Sequence, residues 1–178
     1  MSEPRFTFNA KSLALGRVLI GSLMLVDLGV RADALEAHYS DAGAVPRDAY
    51  TPSQWDWLWS AHLWSGEVWF QSLLFVATGA ALVAFVMGWH TRLANLAAWL
   101  LYLSLCARNP FLRDGQDELG RLLLFFCLFL PLDGKQRPAQ VRSAGTVAFA
   151  VQVCLLYWSS VVHKLQSPWW TSGHAIEN

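Results

Sequence analysis

The sequence predicts an all-α fold, a polytopic transmembrane helical bundle of about five spans with one further helix lying in the interface. Three observations predict it. Hydrophobic residues make up 54% of the chain and charged residues only 15%, against roughly 25% charged for an ordinary soluble domain. The apolar residues gather in runs near the length needed to cross hydrocarbon. The 10 Trp residues crowd near the ends of those runs, where amphipathic indoles sit at a membrane surface.

Charge excludes other classes. The 13 basic and 13 acidic residues balance, so nothing points to nucleic acid or another polyanion as partner. Cys106, Cys127 and Cys154 lie inside apolar runs without metal-ligand spacing and read as buried free thiols; no metal is expected. No repeat, low-complexity tract or Gly/Ser linker divides residues 1–178, which read as a single domain.

The first span is expected near residues 12–30. Arg17 and Asp27 interrupt it and no small-residue cleavage site follows, which argues against a secretory signal. The stretch from Arg31 to Glu67 is long and mixed. Within it, Thr51-Pro-Ser-Gln54 reads as a capping box with Pro at the first helical position. The helix that follows, near 52–65, carries Trp55, Trp57, Trp59 and Trp64 and is too polar to span, so it is placed in the interface. Spans follow near 68–87 and 93–107, separated by the short turn Gly88-Trp-His-Thr-Arg92. A fourth, near 118–131, is short and must borrow flanking residues or tilt to cross. The last is expected near 146–162 and ends in His163-Lys164.

Loop charge orients the bundle. An inside N-terminus puts Arg5, Lys11, Arg92, Lys135, Arg137 and Arg142 in the cytoplasm and Arg31, Arg47, Arg108, Arg113 and Lys164 opposite, a weak bias. It also gathers nearly all the acidic residues and the more unusual polar groups on one external face.

Ionisable groups within spans need partners or a purpose. Arg17 and Asp27 stand about three turns apart on the first span. They either snorkel to opposite interfaces or pair with neighbouring helices, which is the plainer reading, or else line a polar cavity. Arg121 follows Asp117 by four residues and Glu118 by three, the favourable order for helical pairing. A structural ion pair is the plainer reading there, and an anchored Arg aimed at an anionic or carbonyl group is the alternative. On the last span Tyr157, Ser160 and Lys164 share one face, with Gln152, Ser159 and His163 forming a stripe beside it. A terminal Lys before Trp169-Trp170 reads as an interfacial anchor. The competing reading is a partly desolvated Lys whose neutral amine acts as a base. Tyr39-Ser-Asp41, Gly43 and Pro46-Arg47 form a turn-rich loop, and phosphate-binding glycine loops, His-x-x-His pairs and nucleophile elbows are absent.

Taken together, several short motifs resemble the horizontally transferred transmembrane family, related to vitamin K-dependent gamma-carboxylase, over almost the whole chain. They are Tyr39-Ser-Asp-Ala-Gly-Ala-Val-Pro-Arg47, Gly88-x-x-Thr-Arg92, Arg108-Asn-Pro110, and Asp117-x-x-x-Arg121 with its apolar run ending in Leu130-Pro131. Tyr157, His163-Lys-Leu165, Trp169 and Gly173 complete the set. The resemblance implies a helical membrane domain of bacterial type, in the cytoplasmic membrane with its N-terminus in the cytoplasm and its reactive side facing outward. It implies Lys164 as the base that deprotonates a reduced quinone, with His163 beside it and Asn109, Arg121, Asp117, Tyr157 and Ser160 around the substrate. The partners implied are membrane lipid and a lipid-soluble quinol.

The chain also departs from the family. The loop after the fourth span is Asp133-Gly-Lys-Gln-Arg-Pro138 in place of a Trp-Ser-x-Asp-like element, and no large lumenal region is present. The family continues with further membrane helices where this chain stops at Asn178, so a fragment or short relative is expected and protein-glutamate carboxylation is not. Two other functions stay open: a non-enzymatic accessory subunit for a larger membrane partner, similar to the DoxX-type four-helix proteins, and a transporter component. The lack of repeat symmetry counts modestly against the last.

Overall fold

The computed structural model describes residues 8–49, 59–132, 140–141 and 144–171. Apart from one two-residue antiparallel pairing, β1 (Phe8–Asn9) with β2 (Gln140–Val141), the regular structure is helical. Helix α1 (Ala10–Asp33) begins where the Asn9 side chain accepts the Lys11 N–H at 2.9 Å, satisfying one of the free donors of the first turn. A short helix α2 (Leu35–Tyr39) follows and is closed by Ser40, whose Oγ donates to the Glu36 carbonyl at 2.6 Å.

Helix α3 (Val68–Met87) has the expected bounds. It stops at Gly88, whose φ of 76° is left-handed. That φ disfavours a side chain there, and a Cβ would also come within 2.4 Å of an Arg17 guanidinium nitrogen, which would have to move aside. Helix α4 (Thr91–Arg108) returns, and helix α5 (Gly115–Cys127) follows a loop. Helix α5 starts earlier than the hydrophobic run because Asp114 and Asp117 form a reciprocal capping box, and it ends four residues before Pro131. Its 13 residues reach about 20 Å at 1.5 Å each. Helix α6 (Ala144–Gln166) outruns its expected bounds at both ends, and the single turn α7 (Pro168–Thr171) follows.

The expected interfacial helix near 52–65 is corrected in part. Residues 50–58 lie outside the described residues. Over 59–65 the chain forms an extended step and a 3-10 turn at Ala61–Leu63. The cause is tertiary: Ser60 Oγ donates to the Ser104 carbonyl at 2.7 Å, and the Ala61 and His62 N–H groups donate to Ser104 Oγ at 2.8 and 3.3 Å. Ser60, Ala61 and His62 are buried against α4 rather than lying on an interface.

Helices α1, α3, α4 and α5 close into an antiparallel ring: α1 packs on α3 and α5, and α4 packs on the same two. The core between them holds Met24, Leu28, Phe75, Leu82, Phe85, Ala98, Tyr102, Leu105 and Leu124. Helix α6 packs on α5 from outside the ring and keeps most of its surface exposed. Three helices, α1, α3 and α6, are long and apolar enough to cross a membrane, which is compatible with an integral membrane protein.

The ends of the bundle differ sharply. Arg17, Gly88 and Leu132 meet at one end, where Arg17 donates to the Leu132 carbonyl at 3.0 Å. Among the described residues that end carries Lys11, Arg17 and Arg92 and no carboxylate. Every described acidic residue lies toward the other end, from Asp27 on α1 to Glu118 on α5.

Candidate functional site

The acidic end is built around Arg31. As the last turn of α1 reaches α2, α4 and α5, its guanidinium divides among three partners: Asp27 at 2.8 Å, the Tyr39 hydroxyl at 3.1 Å and Asp117 at 2.5 Å. Tyr102 from α4 closes the circuit, its hydroxyl placed at 2.8 Å from Asp27 and 3.1 Å from Asp117, and the Gln116 amide reaches the other Asp27 oxygen at 3.3 Å. Asp117 is fully buried and Arg31 is 14% exposed. Two carboxylates at such depth are stable only with this density of donors. The second Asp117 oxygen is used as well, accepting the Asp114 N–H to complete the cap of α5. One residue therefore starts a helix and ties it to two others.

Beside this circuit lies the turn-rich loop. Arg47 grips Asp41 through Nε and Nη2 at 2.9 and 2.7 Å and donates to the Leu63 and Trp64 carbonyls. Hydrogen bonding to Arg47 holds the Asp41 carboxyl below its usual value. Arg108, with no exposed surface, donates to the Val45 and Ser40 carbonyls at 3.0 and 3.4 Å and stands 3.6 Å from Asp41. Asn109 donates to the His38 carbonyl and accepts the Phe111 N–H, both at 3.1 Å. The loop is thereby fastened to the end of α4.

His62 is buried under the loop against the rings of Tyr39 and Phe75. Its Nδ1 lies 2.6 Å from Gln71 Oε1, and the Gln71 amide donates to the His62 and Ser65 carbonyls. Burial pushes the imidazole down to about 4, with Gln71 opposing and Arg108 adding to the shift. Because the folded value lies below the unfolded one, the unfolded chain binds the extra proton first. Stability is fully present above about pH 6.5 and falls as the pH drops toward 4, by about 3 kcal/mol at 1.36 kcal/mol per unit. Thermal unfolding in detergent from pH 7.5 to 4 is expected to show this loss, and to show much less of it in His62→Phe.

The site residues expected from the sequence separate into two groups. Asp117 enters the Arg31 circuit and Asn109 the loop anchor. Arg121 ion-pairs with Glu118, which also takes Arg113 at 2.8 Å; Asp117 goes to Arg31 instead. Tyr157, Ser160, His163 and Lys164 stay on α6. Tyr157 is 69% exposed, Ser160 is half-buried, and the Lys164 ammonium lies 4.6 Å over the Trp170 ring. Among the described residues no hydrogen bond or ion pair joins this group to Asp117 or Asn109. The two groups do share one end of the bundle, since α6 runs in the same direction as α1. Gly173 and the loop at 133–139 lie outside the described residues. Arg17 and Asp27 work at opposite ends of α1, each with partners on other elements.

Between α5 and α6 runs a cleft of about 230 Å³, walled by Leu119, Leu122, Leu123, Phe126, Phe149 and Leu156, with Gln152 and Tyr157 as its polar side chains. Its lining is largely apolar. Among the described residues no three His, Cys, Asp or Glu side chains are placed to hold a metal ion.

Sequence reasoning missed Arg31 and Tyr102 as partners of Asp117, and the joining of Asp27 and Tyr39 to the same circuit. The i, i+4 order of Asp27 and Arg31 was a usable local signal for one of these contacts. Nothing local announces Tyr102.

No family model matches the chain, and no solved structure matches it. Over 111 residues it is 25% identical to a protein of Bacillus subtilis (strain 168), "Uncharacterized protein YitO", a match covering 54% of this chain and 36% of that protein. The chain spans about a third of the length of this curated relative.

Proposed function

We propose that the chain is a multipass protein of the bacterial cytoplasmic membrane, with α4 and α5 crossing beside α1, α3 and α6 to make five spans. The end that carries Lys11, Arg17 and Arg92 faces the cytoplasm, as the positive-inside bias favours, and the Arg31 circuit faces outward. Helix α5 is short for a full crossing, and its burial within the ring compensates.

In this reading the protein is a quinol-dependent oxidoreductase of the kind its resemblance to the horizontally transferred transmembrane family implies. The observation that carries it is the apolar cleft between α5 and α6, which Tyr157 lines on the same helix as Lys164. Seven residues separate the two, roughly 10 Å along the helix axis. A bound quinol supplies an ionisable hydroxyl and two electrons for oxygen. Tyr157 and Gln152 orient the ring, the Leu and Phe side chains exclude water, and Lys164 accepts the hydroxyl proton. His163 and Ser160 shape the polar rim, Asp117 and Arg121 hold the α5 wall, and Asn109 acts at a distance by fastening the 38–47 loop to the end of α4.

The test is quinol epoxidation in reconstituted membranes. Lys164→Ala is expected to lower turnover by about 100-fold, the lower bound for a general base, and Lys164→Arg is expected not to restore it. Equal turnover of Lys164→Ala and wild type, with wild type well above background, removes Lys164 from the chemistry.

A second reading, an accessory membrane subunit similar to the DoxX-type proteins, draws on a different observation. The ring of α1, α3, α4 and α5 closes without α6, whose Val151, Leu155, Trp158 and Leu165 are exposed and free to meet a partner helix. Co-purification with a larger membrane protein, without quinol turnover, supports this reading over the first.

A further inference from the structure

Two cavities adjoin at the end of the bundle opposite the Arg31 circuit. One, of about 450 Å³, lies between the 88–93 turn and residues 130–132. The other is a groove of about 480 Å³ between α3 and α4, floored by Ala80, Ala81, Ala84, Ala94 and Ala97. Trp89, His90 and Leu93 line both, so the two adjoin across these three residues as the halves of one composite depression. Its parts differ in chemistry as the head and tail of a lipid do.

The first part is electropositive. The opening turn of α4 forms its wall, and that turn contains no acidic residue and receives no side-chain cap from His90, so its N–H groups and the positive end of the helix dipole face the cavity. Arg92 lines the cavity and is exposed. Arg17 stands behind Gly88 and donates to Leu132, two residues of the lining, while its buried Nε has no partner. Among the described residues no carboxylate at this end neutralises either arginine. The second part is apolar and narrow-walled. Five alanines leave between α3 and α4 a channel that larger side chains would fill, and Trp89, 68% exposed, stands at the junction.

We infer that this depression binds an anionic phospholipid, its phosphate against the first turn of α4 with Arg92 and Arg17, and one acyl chain along the alanine groove. Charge complementarity selects the headgroup, and the groove selects a lipid over a free phosphate ester. The site is independent of the quinol reading and stands if that reading fails.

Native mass spectrometry of the detergent-purified protein, titrated with phosphatidylglycerol and phosphatidylcholine, tests the inference, with photoactivatable phosphatidylglycerol locating the contact. Phosphatidylglycerol is expected to be retained at least about fivefold more strongly and to cross-link within 80–97 and 130–132. Arg92→Gln, on an exposed side chain that the fold does not need, is expected to erase most of that preference, and Arg17→Gln the remainder. Ala84→Leu is expected to weaken both lipids alike by blocking the groove. Lys11→Gln, which removes a cation from the same end outside the depression, is expected to leave the preference intact. Three outcomes overturn the inference: equal retention of the two lipids, an effect of Lys11→Gln matching that of Arg92→Gln, or competition by millimolar glycerol phosphate.

Discussion

Arg31→Met is expected to destabilise the protein by about 3–5 kcal/mol, the loss typical when one partner of a buried ion pair is removed. The guanidinium meets Asp27, Tyr39 and Asp117 through three different nitrogens. Methionine fills much of the space but leaves two carboxylates facing one another across the single Tyr102 hydroxyl. A second variant separates charge from packing. Arg31→Met combined with Asp117→Asn removes the buried repulsion and is expected to recover a substantial part of the loss. Arg31→Lys keeps the charge but cannot reach three acceptors in a planar fork, so it should recover less. Equilibrium unfolding in detergent, followed by tryptophan fluorescence and circular dichroism, measures all three. A loss under about 1 kcal/mol in Arg31→Met would show that the circuit does not hold α1, α2, α4 and α5 together.

Arg108→Met is expected to cost about 3–5 kcal/mol by another route. Two hydrogen bonds from a charged donor, each worth about 1.5–3 kcal/mol, tie the Ser40 and Val45 carbonyls to the end of α4. Their removal takes the Arg108 donor from the Val45 carbonyl and leaves the Ser40 carbonyl with the long 3.4 Å bond from the Gly43 N–H. Asp41 keeps Arg47 as its partner, so the damage falls on the backbone of 40–47 rather than on the ion pair. Hydrogen exchange is expected to rise across 40–47 and 61–65 while the N-terminal half of α1 stays protected. Uniform loss of protection over the whole chain would instead make Arg108 a general packing residue.

The two substitutions act on neighbouring devices at one end of the bundle, and that arrangement bears on what could be read in advance. Helix α3 could be placed at 68–87 because an unbroken apolar run between a polar segment and Gly88 leaves the backbone few alternatives. The shortness of α5 was legible in the same way. Its true start was not, because a capping box at Asp114 and Asp117 overrode the hydrophobic pattern that suggested residue 118. The helix expected near 52–65 fails over 59–65 for a tertiary reason: Ser104, more than forty residues away, takes the hydrogen bonds that a helix would have used internally.

The candidate site divides along the same line. Asp117 was singled out beside Arg121, since i, i+4 spacing is a local property that a sequence displays. Burial then decided which cation it meets. Arg121 settles on the half-exposed Glu118, whereas Arg31 comes from α1 across the ring to the fully buried carboxylate. Lys164 and His163 lie exposed near the C-terminal end of α6, where the Lys164 ammonium stands over the Trp170 ring of α7.

From the sequence alone come the all-α class, the apolar helices and the two-ended distribution of charge, because each follows from the order of residues along one helix or loop. Only the tertiary structure decides that four helices close into a ring with a fifth outside it. It alone brings Asp27, Arg31, Tyr39, Tyr102 and Asp117 into one circuit. Those contacts join residues up to 86 positions apart, and a buried charge takes the partner that packing delivers.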